Sequence, residues 1–237
     1  MSTIDASKLL RPGLLDGVSI MLARVPASAG ESASLGDVVR DSCASLGARV
    51  CELSVELQSS QDDDAMERAA EDAVAKALAD GASIDLLVVD CASLFAGVAG
   101  SSEKDSPDGD DRRGTARDAL RVCLDSSWNA TRAVVNAAFL PDSHGGRIVY
   151  LAPSADAGEH ADAACAGLEN LARTLSIEWA RHGITLVAIT PGAASGGVDV
   201  ASEVAALTAY VASPAGAYFS GCLLDLRGGV GEPVADT

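Results

Sequence analysis

Short apolar runs alternate along the chain with longer segments that have helical spacing. Most of the runs are continuous rather than alternating, which is typical of strands that are buried on both faces of a sheet. The segments between them place apolar residues three or four positions apart, as Leu168, Leu171 and Leu175 are. The predicted strands are 18–23, 50–55, 84–89, 148–152, 184–189 and 222–226.

This order of elements predicts an α/β fold. Strands that alternate with helices over the whole length indicate a doubly wound, mostly parallel Rossmann-like sheet with helices on both faces. No composition boundary or internal repeat divides the sequence, so we expect a single domain over 1–237. Within it, 101–114 is rich in Asp, Ser, Gly and Arg. We expect 101–114 to form a mobile acidic loop and 230–237 to form a tail.

Composition limits the partners and the compartment. The sequence has 17 Lys and Arg against 34 Asp and Glu, a net charge of −17, which would repel a nucleic acid. No apolar run approaches the roughly 20 residues of a membrane span, and no export signal is visible, so we expect a cytoplasmic protein. The six cysteines form no Cys-x-x-Cys pair, which disfavours a metal site and predicts free thiols. The alanine-rich, acidic composition suggests a bacterial source.

The second half of the sequence resembles the short-chain dehydrogenase/reductase family. The segment 146–151 is similar to the fifth strand of that family, and 161–184 is similar to its long active-site helix and the turn into strand six. A Pro-Gly pair at 191–192 and a Gly-Gly pair at 228–229 occur where the family has such pairs. Upstream, the resemblance extends over 15–17, 47–50 and 84–89.

The resemblance implies a nicotinamide dinucleotide site, but the turn that would hold the cofactor departs from the family pattern. Family members use a Gly-x-x-x-Gly-x-Gly turn after strand one, where glycines let the backbone reach the pyrophosphate at a helix N-terminus. Here the turn at 24–32 keeps only Gly30. Ser28, Gly30 and Ser32 either cradle another anion or form a plain loop that caps a helix.

The adenosine side of that site is also altered. The family usually has a further strand and helix between strand two and the strand at 84–89, and we expect this unit to be shortened or lost. The family's Asn-Asn-Ala-Gly after that strand is Asp-Cys-Ala-Ser here, at 90–93. We therefore expect that this chain binds no cofactor itself and that NAD(P) is bound in a partner subunit.

The resemblance also implies a catalytic set of Asn, Ser, Tyr and Lys. In the family, Tyr is the general acid/base, Lys lowers its pKa, Ser binds the substrate oxygen and Asn organises a proton relay. On the long helix, the Tyr position is Ala161 and the Lys position is Cys165. The Ser position falls at Pro153 and the Asn position at Cys123. Because Ala161 carries no proton and Lys104 is the last lysine, we expect the isolated chain to be inactive as an oxidoreductase.

Other residues near these positions offer substitutes. His160 is either a general base with acidic neighbours or a solvated helix cap, and Ser154 lies beside the lost Ser position. Cys123 and Cys165 are either reactive thiols or buried and inert ones, and no positive partner for them is visible in the sequence. The arginines within 112–121 form either a basic patch for a phosphate or coenzyme A tail, or a solvated face.

The resemblance leads to one main functional hypothesis. A catalytically silent chain, a pseudoenzyme, would support an active, related NAD(P)-dependent subunit that acts on an acyl thioester, a secondary alcohol or a ketone. The segments 115–139, 162–181 and 204–226 correspond to the oligomer interfaces of the family and stay apolar and rich in small residues. The partner through these segments is the related subunit or a second copy, in a dimer or tetramer.

Two alternatives remain open at the level of the sequence. One is an enzyme with altered, non-redox chemistry in the remodelled pocket. The other is a reductase with an unconventional mode of NAD(P) binding. A shared fold does not distinguish among these functions.

Overall fold

Six parallel strands form one sheet, in the order β2-β1-β3-β4-β5-β6. The computed structural model describes residues 9–26, 34–55, 63–79, 83–102, 109–141, 145–192 and 199–227. The strands are β1 (Ser19–Arg24), β2 (Arg49–Ser54), β3 (Leu86–Val89), β4 (Gly146–Leu151), β5 (Ile184–Thr190) and β6 (Cys222–Asp225). The helices are α1 (Leu35–Ser45), α2 (Asp63–Leu78), α3 (Cys91–Ser102), α4 (Gly109–Val134), α5 (Ala161–Glu178) and α6 (Val200–Ala212). A π-helical turn, Val135–Phe139, follows α4.

The sheet separates two layers of helices, as expected for a doubly wound fold. One face packs against α2, α3, α4 and α5 in an apolar cluster that includes Phe95, Phe139 and Leu168. The other face packs against α1 and α6 around residues such as Val39 and Val204. The central strands β1 and β3 are buried along their whole length, because both of their faces meet a helical layer.

The sheet ends at β2, as expected from the short interval between the second and third predicted strands. The described residues between β2 and β3 contain α2 alone, so the chain passes from the edge of the sheet to its centre in one crossover. The outer side of β2 therefore lacks, among the described residues, the neighbouring strand that the family usually has. Most residues of β2 are exposed or half-buried, as is typical of an edge strand.

The loop expected at 101–114 is shorter than the sequence suggested. Helix α3 extends to Ser102 and α4 begins at Gly109, so a large part of this segment is helical. Residues 103–108 and the expected tail at 230–237 lie outside the described residues. The helices extend into the expected loop because adding residues to an existing helix costs little free energy once its first turn has formed, even where the added residues are polar.

Candidate functional site

The crevice at the carboxyl ends of β1 and β3 is where a doubly wound fold binds its ligands. The chain leaves β1 toward β2 on one side, while β3 pairs with β1 on the other side. Where the connections that leave two adjacent strands run in opposite directions along the sheet, a crevice opens between them. Helix α1, which follows β1, directs its N-terminus toward this crevice, where the family places the cofactor's diphosphate.

Arg24, the last residue of β1, is held at this position by two carboxylates. Its side chain is 8% exposed. The guanidinium Nη1 lies 2.7 Å from Asp37 Oδ1 on α1, and Nη2 donates to both carboxylate oxygens of Glu52 on β2, at 2.9 and 3.0 Å. Burial lowers the pKa of Arg24, but the hydrogen bonds to Glu52 and Asp37 outweigh it and raise the pKa above its ordinary value. Arg24 therefore stays charged and bonded to both carboxylates.

Arg40 of α1 extends this ion-pair group. Its Nη1 lies 2.9 Å from Asp37 Oδ1 and 3.0 Å from Glu52 Oε1, and its Nε donates to Asp41 Oδ1 at 2.8 Å. Burial opposes ionisation of Asp37 and Glu52, but hydrogen bonds from their neighbours outweigh it and lower the pKa of both carboxyl groups. We call Arg24, Asp37, Arg40, Asp41 and Glu52 the Arg24 cluster. It contains one more negative than positive charge.

The N-terminus of α1 is satisfied by groups of the chain itself. Ser34 caps the helix: its Oγ accepts from the Asp37 N–H at 3.2 Å, and its own N–H donates to Asp37 Oδ2 at 2.9 Å. The Gly36 N–H donates to Asp90 Oδ2 at 3.0 Å, and the Ser93 N–H donates to Asp90 Oδ1 at the same distance. Asp90 is fully buried after β3. Two carboxylates thus occupy the end of the helix that attracts anions.

Gly36 is a sterically constrained position at the crevice that the sequence reasoning missed. A Cβ at this residue would lie 2.6 Å from Asp90 Oδ2, so only glycine permits the observed approach. Close packing of this kind is the role of the last glycine in a dinucleotide-binding turn. The sequence signal for this position is a glycine that comes two residues after Ser34. It lies beyond the segment 24–32, in which we expected the glycine pattern of the family. Ser28, Gly30 and Ser32 lie outside the described residues.

The four positions of the catalytic set are buried. Cys123, Pro153, Ala161 and Cys165 belong to the core rather than to an open pocket wall. Cys165 Sγ donates to the Pro153 carbonyl at 3.1 Å, so the structure brings these two positions together. Cys123 Sγ lies 3.5 Å from the carbonyl oxygen of Cys91 and donates to it. None of these four residues has the phenol or the amine that the family's Tyr and Lys supply.

Cys165 does have a positive neighbour, contrary to the expectation from the sequence. Burial is the larger effect and raises the pKa of Cys165, while the charge of Arg227, which follows β6, favours the thiolate. Arg227 is paired with Asp225 at 2.8 Å and lies 3.7 Å from Asp162. The sequence missed this neighbour because Arg227 is far along the chain and reaches α5 only through the position of β6.

His160 and Ser154 lie at the entrance to α5. His160 adopts a left-handed conformation, φ 70° and ψ 9°, and its side chain makes no capping hydrogen bond. Its Nε2 lies 3.9 Å from Glu159 Oε1, a separation too long for a hydrogen bond. The Ser154 carbonyl accepts from the Ala157 N–H at 3.0 Å in a turn. The backbone of both residues therefore shapes the turn into α5.

Comparison with known proteins identifies the family. A sequence profile described as short chain dehydrogenase matches residues 13–206. The chain belongs to the short-chain dehydrogenase/reductase family. No curated protein matches the sequence.

Solved structures of this family share the fold. A Mycobacterium smegmatis short chain dehydrogenase has 22% identity and a TM-score of 0.63, covering 90% of this chain and 93% of its own. A short-chain dehydrogenase/reductase from Serratia marcescens has 22% identity and a TM-score of 0.60, with 89% and 96% covered. A Bacillus cereus enoyl-acyl carrier protein reductase, solved with NADP+, has 14% identity and a TM-score of 0.64, with 92% and 97% covered.

Among the described residues of the crevice, several groups that could meet the diphosphate of a dinucleotide are already bonded within the chain. A diphosphate needs free N–H groups at the helix N-terminus and a close approach to the end of the first strand. In this structure, the Gly36 and Asp37 N–H groups already have acceptors, and the Arg24 guanidinium at the end of β1 is bonded to Asp37 and Glu52. The carboxylates of Asp37 and Asp90 would face the phosphate charges.

Two features, a metal site and a membrane-spanning helix, are absent from the part of the chain that the structure describes. No group of three or more His, Cys, Asp or Glu side chains in those residues is arranged to hold a metal ion. No helix there has the length and apolar character to cross a membrane.

Proposed function

We propose that this chain is a catalytically silent subunit of the short-chain dehydrogenase/reductase type. It supports an active, related NAD(P)-dependent subunit in a cytoplasmic hetero-oligomer. The observation that carries this proposal is the Arg24 cluster, whose charged groups at the end of β1 and on α1 and β2 pair with one another. The proposal assigns NAD(P) to the partner subunit and no cofactor to this chain.

The former catalytic positions support the same proposal. A reductase must transfer a proton to the substrate oxygen, which requires a titratable group within hydrogen-bond reach. Ala161 has no such group, and burial raises the pKa of the Cys165 thiol. The Cys165 thiol donates a hydrogen bond to the Pro153 carbonyl. The residue at the family's lysine position therefore stabilises the turn after β4.

An apolar surface on α4 and α5 supports association with a related chain. Trp128 of α4 stacks on Trp179 at the end of α5, with ring centroids 6.4 Å apart and planes 10° apart. Trp128 is 36% exposed, and Ile177 near Trp179 is 79% exposed. Exposed tryptophan and isoleucine side chains on these two helices are typical of residues at a protein interface. The family forms a two-fold interface through these helices, so a related chain is the fitting partner.

A second aromatic surface lies near the carboxyl end of the described chain. Tyr210 of α6 packs edge-on against Phe219, with ring centroids 6.1 Å apart. Tyr218 is 92% exposed beside them. This region falls within 204–226, the other segment that corresponds to an interface of the family. Two separate apolar surfaces favour a tetramer over a dimer.

The substrate of the complex follows from the family rather than from this chain. We propose an acyl thioester, a secondary alcohol or a ketone as the substrate of the active subunit. The similar enoyl-acyl carrier protein reductase from Bacillus cereus is consistent with the first class.

Native mass spectrometry of the tagged chain, purified gently from its own host, tests this function. We expect a complex with a second chain of similar mass that carries bound nicotinamide. Ile177→Glu should disrupt the complex, whereas Leu9→Glu, at an exposed leucine away from α4 and α5, should leave it intact. Recovery of this chain only as a monomer or homo-oligomer would contradict the proposal. Saturable binding of NADH or NADPH by the isolated chain would contradict it as well.

A further inference from the structure

A cavity of about 200 Å³ lies between β2, α2 and α4. Its walls include Leu53, Val55, Met66, Ala70, Ser126 and Asn129. Leu53 and Glu52 are neighbours in β2 and therefore point to opposite faces of the sheet. Glu52 reaches the Arg24 cluster on the α1 face, so the cavity lies on the other face of the sheet.

The cavity results from the shortened sheet and from small side chains on α2. The residues that α2 turns toward β2 and α4 are mainly alanines, at 69, 70 and 73. Alanine leaves space where leucine or isoleucine would fill the gap between a helix and a sheet. Because the sheet ends at β2, no further strand of the described residues extends over this space.

Ion pairs join α2 and α4 beside the cavity. Arg132 of α4 pairs with Glu67 and, at 3.2 Å, with Glu71, which are one helical turn apart on α2. These residues lie next to Met66 and Ala70 in the wall. The cavity is already present between the two paired helices, so a ligand would not have to separate them on binding.

The polar groups of the wall identify the chemistry of a ligand. Ser126 and Asn129 are one turn apart on α4, so both face the same side of the helix. Neither side chain has a hydrogen-bond partner among the described residues. The described wall carries no charged side chain, and the net charge of −17 disfavours an anionic ligand in general. An uncharged ligand with at least one hydrogen-bonding group matches this wall.

We propose that this cavity is a binding site for a small neutral molecule with an apolar body and one amide, carbonyl or hydroxyl group. The apolar body packs against Leu53, Val55 and Met66, and the polar group meets Asn129 and Ser126. The volume of about 200 Å³ exceeds the roughly 150 Å³ of a cavity that holds benzene, so one substituted aromatic ring or a short acyl chain fits. This site is independent of the proposed silent role.

Methyl NMR with benzamide as the probe tests the site. The chain has three methionines, of which Met66 lines the cavity and Met21 is buried in β1 as an internal reference. Benzamide should shift the Met66 methyl resonance saturably and leave that of Met21 unchanged. Benzoate, which has the same shape and a negative charge, should bind at least about tenfold more weakly because the described wall offers no cation.

Three variants separate the proposed site from general surface binding. Ala70→Leu should abolish the shift by filling the cavity, and Asn129→Leu should weaken binding about fivefold through the lost hydrogen bond. Ala44→Leu, at an exposed alanine of α1, is the matched control and should bind as the wild type does. A Met66 resonance that does not move, that moves together with Met21, or that moves equally in Ala70→Leu would overturn the proposal.

Discussion

The Gly36 N–H and the Asp90 carboxylate form a buried hydrogen bond of 3.0 Å between residues that are 54 positions apart. This contact joins the first turn of α1 to the loop after β3. In a doubly wound fold these two segments flank the crevice where a ligand would bind. The contact therefore ties together both sides of the crevice.

Gly36→Ala is expected to destabilise the protein. The new methyl carbon would lie 2.6 Å from Asp90 Oδ2, and both residues are buried, so the helix or the carboxylate must move. Overpacking of this kind costs about 1–3 kcal/mol, which exceeds the gain of up to about 1 kcal/mol from the better helix propensity of alanine. Urea denaturation measures the difference. Gly167→Ala, which faces the flexible end of Leu124, should cost less.

Asp90 should make stability depend on pH in an unusual direction. Burial raises the pKa of Asp90, while N–H groups of Ser93 and Gly36 and the charge of Arg24 oppose the shift. The folded state then holds the proton more tightly than the unfolded state, so the contribution of Asp90 to stability falls as pH rises above about 4. The free energy of unfolding of the wild type minus that of Asp90→Asn should decrease over this range. An increase would mean that the hydrogen bonds and Arg24 outweigh burial.

Arg24→Met should destabilise the protein by about 2–4 kcal/mol. The change keeps the apolar stem but leaves the carboxylates of Asp37 and Glu52 without their buried partner. Arg24→Lys should recover only part of the lost stability. It restores the positive charge, but an ammonium group cannot bridge both carboxylates as a guanidinium does. Thermal and urea unfolding measure both variants.

Arg173→Met provides the control for that experiment. Arg173 pairs with Glu169 at 2.6 Å, but its side chain is exposed, so its loss should change stability by less than about 0.5 kcal/mol. Equal losses for Arg24→Met and Arg173→Met would show that the Arg24 cluster contributes no more than a surface ion pair.

The buried thiols, including those near the positions that correspond to the family's catalytic set, should react slowly in the folded protein. Burial raises the pKa of Cys91 and of Cys165, and it raises the pKa of Cys43 to about 12. Since the thiolate is the reactive form, iodoacetamide should label the half-buried Cys51 and Cys222 first. Mass spectrometry of peptides at successive times measures the order. Rapid labelling of Cys165 at neutral pH would instead indicate an activated thiol beside Arg227.

The sequence by itself determined the strands, their parallel arrangement and the short interval between β2 and β3. Buried strands appear as continuous apolar runs, so residues 84–89 and 148–152 reveal the centre of the sheet without any knowledge of contacts. The short spacing between the second and third predicted strands indicated a single crossover between β2 and β3. The described residues agree, because they contain one helix, α2, between these strands. These features depend on residues that are neighbours along the chain.

Only the tertiary structure decided which groups meet at the carboxyl ends of the strands. Arg24 pairs with Asp37 on α1 and with Glu52 on β2. Arg227 lies near Cys165 only because β6 pairs with β5. Local periodicity shows which residues share a face of one element, but not which element lies opposite. The partners of a buried charge depend on strand order and helix packing, which the sequence encodes only through the cooperative fold of the whole chain.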